Sequence, residues 1–540
     1  MSPLSTVVLP AFRKMFDSFR IKHGDKSLKH LTRNTLKKKI DIIYRENMEI
    51  IKNHLKNVQY VCTTADIWTA PDRRFIGVTA HWLCEKSLKR KSAALACKTI
   101  KGTHTGEVVA TELSRIHALF GLNNEKIVAT VTDNGSNFIK AFKIFGLSNE
   151  DNDENINESN DLNHDDNYNI PDNYYSIDSN EISNEIDIIL PQHLRCASHT
   201  LNLIASSDAA KIINDDSRLK RLHEEAIEEC DKLWRKLKSP KNREALKKYL
   251  KCALKRPVVT RWNSLYDCLK QIISLKDKLT AVSIQQHVDF EVSIREPHFR
   301  YIRDYLTCME PLAVGIDKAQ AETTCYYGCL LPLLLSIKNK WTAILRDNRV
   351  IYCKKLVEGM QQRLINRFND FFEIDGHGEA AALAAITHPQ FKDRWLSCLS
   401  DDKILKIQQL VRAAFSVSED ESNEILDEME QDDFFDFGEG STEANRKLQV
   451  FTYPGNNSVE MCQFLNNPIR ALDVLHQFPR VKQLFIKYNT CIPSSAPVER
   501  LFSYATMMNI AKYNRLSDDS FEKRVLSAAN MKKRLYYVKR

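Results

Sequence analysis

The stretch TVTDNGSN at 130–137 decides the fold once it is set beside TTADIWT at 63–69. In TTADIWT an apolar and β-branched run, Val61 to Ala65, closes on Asp66. In TVTDNGSN the run Ile127 to Thr132 closes on Asp133, and the turn pair Asn134-Gly135 follows. Short runs of this composition, bounded by turn residues, read as buried strands. Between them, Gly77–Leu83 alternates, with Val78, Ala80 and Trp82 on one face, and Ala93–Ile100 is a third strand candidate. Val109, Leu113, Ile116 and Phe120 form one stripe of a helix from Gly106 to about Phe120. Ser136–Phe145 reads as another helix. Three strands, helix, strand, helix predicts a mixed sheet flanked by helices, an α/β architecture.

Outside this block the chain reads as helical. Residues 1–59 form an N-terminal helical segment, in which Leu36, Ile40, Ile43, Met48, Ile51 and Leu55 recur at helical spacing and Thr32 is placed to cap. From about Thr200 to Phe415 the pattern is helical nearly throughout, and it is helical again over 458–489, broken at Pro468 and Pro479. Ser495 to Tyr537 reads as two helices joined near Asn514–Ser517.

The chain has 540 residues, enough for a large core and for several domains. No apolar run approaches the roughly 20 residues that a membrane span needs, so no membrane partner is expected. The N-terminus, MSPLSTVVLPAFRKMF, has no basic segment ahead of its apolar stretch and does not read as a secretory signal. The 14 cysteines are scattered, which fits a reducing compartment without disulfides. The net charge of +8 hides a segregation: Glu150 to Asp187 holds 13 Asp and Glu, and Glu419 to Asp436 holds 10, with no Lys or Arg in either. The rest of the chain is therefore strongly basic, as in proteins that meet polyanions, and nucleic acid rather than membrane is the expected partner.

Asp66, Asp133 and Glu499, the last in SAPVERLFS at 495–503, are candidate metal-binding carboxylates. Hard oxygen ligands suit Mg2+ or Mn2+, and paired cations are what phosphodiester chemistry needs. Each acid alone has a plainer reading: a turn cap for Asp133, a dipole-favoured first-turn acid for Glu499. Cys196-Ala-Ser-His199 lacks two further ligands at zinc spacing, so no zinc is expected, and the pair reads as buried structure or as site lining. Arg261-Trp262 beside Asn263 reads as a base-stacking platform, though a lone Trp is more often core.

Together, DIWT (66–69), GVTAHW (77–82), HTGE (104–107), TDNGSN (132–137), CASHTLNL (196–203), TRWNS (260–264), IPSSAPVERLFS (492–503), RLS (515–517) and AAN (528–530) resemble the hAT superfamily of DNA transposases and the BED-type host proteins descended from them. The ordered set is specific and runs from about residue 60 to the end. The resemblance implies an RNase H-like core, 60–210 with an acidic loop at 150–187, interrupted by an all-helical insertion at 211–415. An acidic linker at 416–445 then leads to a C-terminal region, 446–540, that completes the core and serves dimerisation. It implies that Asp66, Asp133 and Glu499 are the catalytic triad. It implies that Cys196 and His199 line the site near DNA, and that Trp262, beside Arg261, stacks on a displaced base. The expected protein is a nuclear, self-associating transposase that cleaves and joins DNA. The alternative is an inactive, transposase-derived regulator that binds DNA as a dimer. Two departures stand out: no cysteine–histidine pairs of a BED finger precede the first motif, and Thr506 lies near where the family usually has glycine.

Overall fold

The computed structural model describes residues 6–23, 30–146, 188–416 and 456–537, apart from positions 8, 31, 72, 101, 103, 104, 259–261, 282, 283, 285, 286, 348 and 510–515. Both acidic tracts expected from the sequence lie outside the described residues.

Strands β1 (Val61–Ala70), β2 (Arg73–Leu83), β3 (Arg90–Ile100), β4 (Ile127–Thr132) and β5 (His193–Arg195) form one sheet in the order β3-β2-β1-β4-β5. The β1–β2 and β2–β3 pairs are antiparallel; β1–β4 and β4–β5 are parallel. The mixed sheet follows from connection length: tight turns allow only antiparallel neighbours, whereas the helix Gly106–Leu119 is the crossover a parallel neighbour requires. Thr105 caps that helix, its hydroxyl accepting from the Val108 amide. The helix Ser136–Phe145 begins where expected.

The two faces of the sheet are distinct. Thr63 of β1 turns toward the crossover helix, where its hydroxyl meets Thr130 at 2.8 Å and His117 at 3.4 Å. On the other face lie Cys62, Thr64, Asp66 and Trp68, paired in register with His81, Thr79, Gly77 and Phe75. That face is covered by the helix Ala496–Met508 near β1 and β2, and by Asp518–Tyr537 near β3.

β3 is an edge strand, and its unpaired backbone is covered. Asn530 donates to the Ala94 carbonyl (3.0 Å) and accepts from the Ala94 amide (2.9 Å), while Glu522 accepts from the Cys97 amide (3.1 Å). Phe521, Val525 and Leu526 of the same helix are fully buried. Open strand edges recruit other chains, so this cover has structural value.

The region after β5 is helical, as expected. Its core holds the long helices Glu296–Ala319 and Leu330–Arg346, with Trp341 and Trp395 fully buried. The buried Asp208 is held by a two-pronged bridge from Arg367, at 2.6 and 3.0 Å. In the N-terminal segment, the Thr35 amide donates to Thr32 at 3.1 Å, the expected cap of the helix Arg33–Lys56.

Two expectations need correction. β1 does not end at Asp66 but runs on to Ala70, because its pairing with β2 continues to Ala70 opposite Arg73. It is β4 that stops, its last partner being Thr132 opposite Ala65. β5 was not expected at all. Three residues carry no alternation to read.

Candidate active site

The β1–β4 register places Asp66 and Asp133 one step past the last parallel pair, Ala65 with Thr132, on the same face of the sheet. Each carboxylate uses one oxygen locally: Asp66 Oδ1 accepts the Ile67 amide at 2.7 Å, and Asp133 Oδ1 accepts the Gly135 amide at 3.0 Å. The Asp133 contact is the turn reading of that residue made concrete, and it also aims the side chain. Burial pushes the Asp66 carboxyl well above the usual range; the charges of Asp133 and then of Glu499 push it further the same way. All three acids therefore share one electrostatic environment.

Glu499 stands in the first turn of the helix Ala496–Met508, exposed. Four devices hold the segment around it against the sheet. Buried Arg90 of β3 donates to the carbonyls of Asn489, Thr490 and Cys491 at 2.8, 2.5 and 3.1 Å. Cys196 follows: its amide donates to the Thr132 carbonyl at 2.8 Å, and its sulfur accepts from the Ser495 amide at 3.2 Å. Ala197 donates to the Pro493 carbonyl at 2.8 Å, and Ser198 meets Ser494 at 2.7 Å. Gly77, opposite Asp66, is the third: a Cβ there would sit 2.7 Å from Val498 and from the Phe502 ring. Only glycine lets the helix come this close.

Glu322 is the fourth. It follows the helix Glu296–Ala319, far from the sheet in sequence. Its Oε2 accepts from Arg500 at 2.8 Å and its Oε1 from Ser92 of β3 at 2.5 Å, with buried His81 of β2 at 3.7 Å. His81 in turn meets Thr79 at 2.8 Å, and Thr79 meets Thr64 at 2.6 Å, two residues before Asp66. A polar chain thus runs from beneath the acidic pair to the helical region. Nothing local in the sequence marks Glu322, Arg500 or His81 as members of this chain.

The residues fit a hard divalent cation. The Asn134 Oδ1 is buried without a hydrogen-bond donor among the described residues, beside Asp133. A half-buried carboxyl pair, in which the ionisation of Asp66 is pushed up, and a neighbouring unsatisfied amide oxygen make the kind of oxygen set that a cation neutralises. Among the described residues no group of three or more His, Cys, Asp or Glu side chains is disposed to hold an ion as it stands. The structure brings Asp66 and Asp133 together and sets Glu499 within electrostatic reach.

The other expected site residues fall out differently. Cys196 is fully buried and bonded inside the protein, so its role is to join β4 to the 493–495 segment. His199 is half-buried, its amide donating to Cys196 at 3.4 Å. Trp262 opens the helix Trp262–Ser274. Arg261 lies outside the described residues. No helix among the described residues is long and apolar enough to cross a membrane.

Comparison with known proteins relates the chain to transposases. It is 26% identical over 250 residues to the AC transposase of Zea mays and, at the same identity and length, to the AC9 transposase of Zea mays. The match covers 46% of this chain and spans 27% and 26% of those two relatives. No protein-family model matches the chain.

Proposed function

We propose that this protein is a hAT-type transposase that binds DNA and cleaves and joins its phosphodiester bonds at Asp66, Asp133 and Glu499. The observation that carries the reading is the Asp66–Asp133 pair on adjacent parallel strands, with the Glu499 helix held over the same face. The sheet order β3-β2-β1-β4-β5, with an antiparallel three-strand unit and two parallel strands after the crossover, supports an RNase H-like core. Similarity to named transposases supports DNA as the substrate.

Asp66 and Asp133, with Asn134 and Glu499, would hold Mg2+ or Mn2+, which when bound supplies charge for the attacking and leaving oxygens. The residues themselves do the rest. Asp66 would serve as a ligand in its carboxylate form, and a cation there would offset the burial and like charge that push its ionisation up. The Gly135 amide orients Asp133. Glu322 and Cys196 keep the Glu499 helix in place. The assembly acts in the nucleus and self-associates through 490–540, on faces of these helices other than those packed on the sheet.

The test is cleavage of duplex DNA carrying the flanking terminal repeats, in Mg2+ or Mn2+. Asp133→Asn is expected to abolish cleavage without lowering the thermal midpoint. Cleavage that survives in Asp66→Asn and Asp133→Asn chains would sink the proposal.

A further inference from the structure

We propose that the helical region carries a second contact surface for nucleic acid, apart from the acidic pair: a cationic cleft that takes phosphodiester groups of duplex DNA. This rests on DNA being the substrate, as argued above. Between Lys232 and Arg256 the chain has eleven Lys and Arg and a single carboxylate, Glu244. Some of these cations are paired: Lys232 with Glu229 at 2.6 Å, Lys241 with Asp289 at 2.6 Å, and Lys255 with Asp267 at 4.0 Å. Lys236, Lys238, Lys247, Lys248, Lys251 and Arg256 are exposed and have no carboxylate partner among the described residues. Exposed like charges this close together along the chain repel each other, which costs stability unless a polyanion is met there.

The surface is shaped as well as charged. Arg235, Lys238 and Arg256 line a cleft of about 500 Å3, floored by Trp234 and opening to solvent. Trp234 is 4% exposed, and its indole N–H is buried with no acceptor among the described residues. The second wall is rigid: the Lys255 amide donates to Gln271 at 2.7 Å and the Val258 amide to Ser264 at 2.8 Å, tying 255–258 to the helix Trp262–Ser274. Asp231 also lines the cleft; burial pushes its carboxyl up, and Arg235 opposes that shift. Lys and Arg flanking a groove are the chemistry that recognises a phosphate backbone irrespective of base.

The test is the salt dependence of DNA binding by the full chain, without divalent metal so that no chemistry occurs. Each lost phosphate contact lowers the slope of log K against log salt by about 0.9. Lys238→Gln/Arg256→Gln, and separately Arg235→Gln/Lys238→Gln, are expected to lower it by about 1–2 and to weaken binding roughly 10-fold at 0.15 M salt. Lys140→Gln/Lys143→Gln, which removes two exposed charges from the helix on the sheet's other face, is the matched control and is expected to leave the slope unchanged. Equal slopes for all three variants and the parent chain, or equal losses in all three variants, would overturn the cleft. The metal reading is judged apart from this, by Mn2+ titration of the Asp66–Asp133 pair without DNA.

Discussion

Glu322 and Arg500 form a 2.8 Å ion pair that joins the helical region to the helix bearing Glu499. Glu322 is 17% exposed and Arg500 48%, so solvent screens the pair in part. Because the same carboxylate also takes the Ser92 hydroxyl, its geometry is set from two sides. A thermal-unfolding cycle with Glu322→Gln, Arg500→Gln and the double variant should show a coupling of about 0.5–1 kcal/mol. If the single effects simply add, the two residues act independently.

Gly77→Ala should push the helix Ala496–Met508 away from β2. The added methyl meets Val498 and Phe502 at 2.7 Å, and forced overpacking costs about 1–3 kcal/mol. Chemical denaturation measures this directly. Val498→Ala in the same chain should recover part of the loss, which a simple strand-propensity effect would not allow.

Cys196→Ala removes the acceptor for the Ser495 amide and leaves that buried donor without a partner, a loss of about 1–3 kcal/mol. Cys196→Ser keeps an acceptor and should cost less. Equal destabilisation by both, read from denaturation midpoints, would show that the sulfur serves only as packing.

Asp66 sets a pH dependence with a definite sign. Its carboxyl ionises at a higher pH folded than unfolded, so the folded state binds the extra proton in the window between the two values. Its contribution to stability is present below the unfolded value and is lost as pH rises through the folded one. Asp66→Asn should flatten that fall and raise Tm at neutral pH by about 2 °C or more. Mn2+ should stabilise the parent chain at neutral pH and not the variant, a comparison that calorimetry makes without any activity.

Asn530→Ala should leave the Ala94 amide and carbonyl of β3 without their side-chain partner, at a cost of about 1–3 kcal/mol. It should also raise concentration-dependent association, measured by sedimentation, since an uncovered edge strand pairs with others.

The four longer strands and the helices around Asp133 were legible because apolar runs, alternation and turn residues are local signals. Asp66 and Asp133 followed from the same reading, since both stand where an apolar run meets a polar residue. The end of β1 differs from the expectation because Asp66 closes the apolar run, while Ile67, Trp68 and Thr69 stay in the strand through their partners in β2. β5 was too short to show a period. Cys196 drew attention through its C-x-x-H spacing, yet its work is to bond a segment almost 300 residues later in the chain, which spacing cannot reveal. Glu322 and His81 are likewise joined to the site only by contacts between distant parts of the sequence.

The cover over β3 has a consequence in time. Asn530 and Glu522 lie in the helix Asp518–Tyr537, 436 and 425 residues after the β3 residues they bond, and β3 itself ends at Ile100. At roughly 5–20 residues per second, the edge strand waits for tens of seconds before its cover is made. Glu499 is also translated late. During synthesis the growing chain therefore has an open edge strand and an acidic pair without Glu499, and it is then most prone to misassembly.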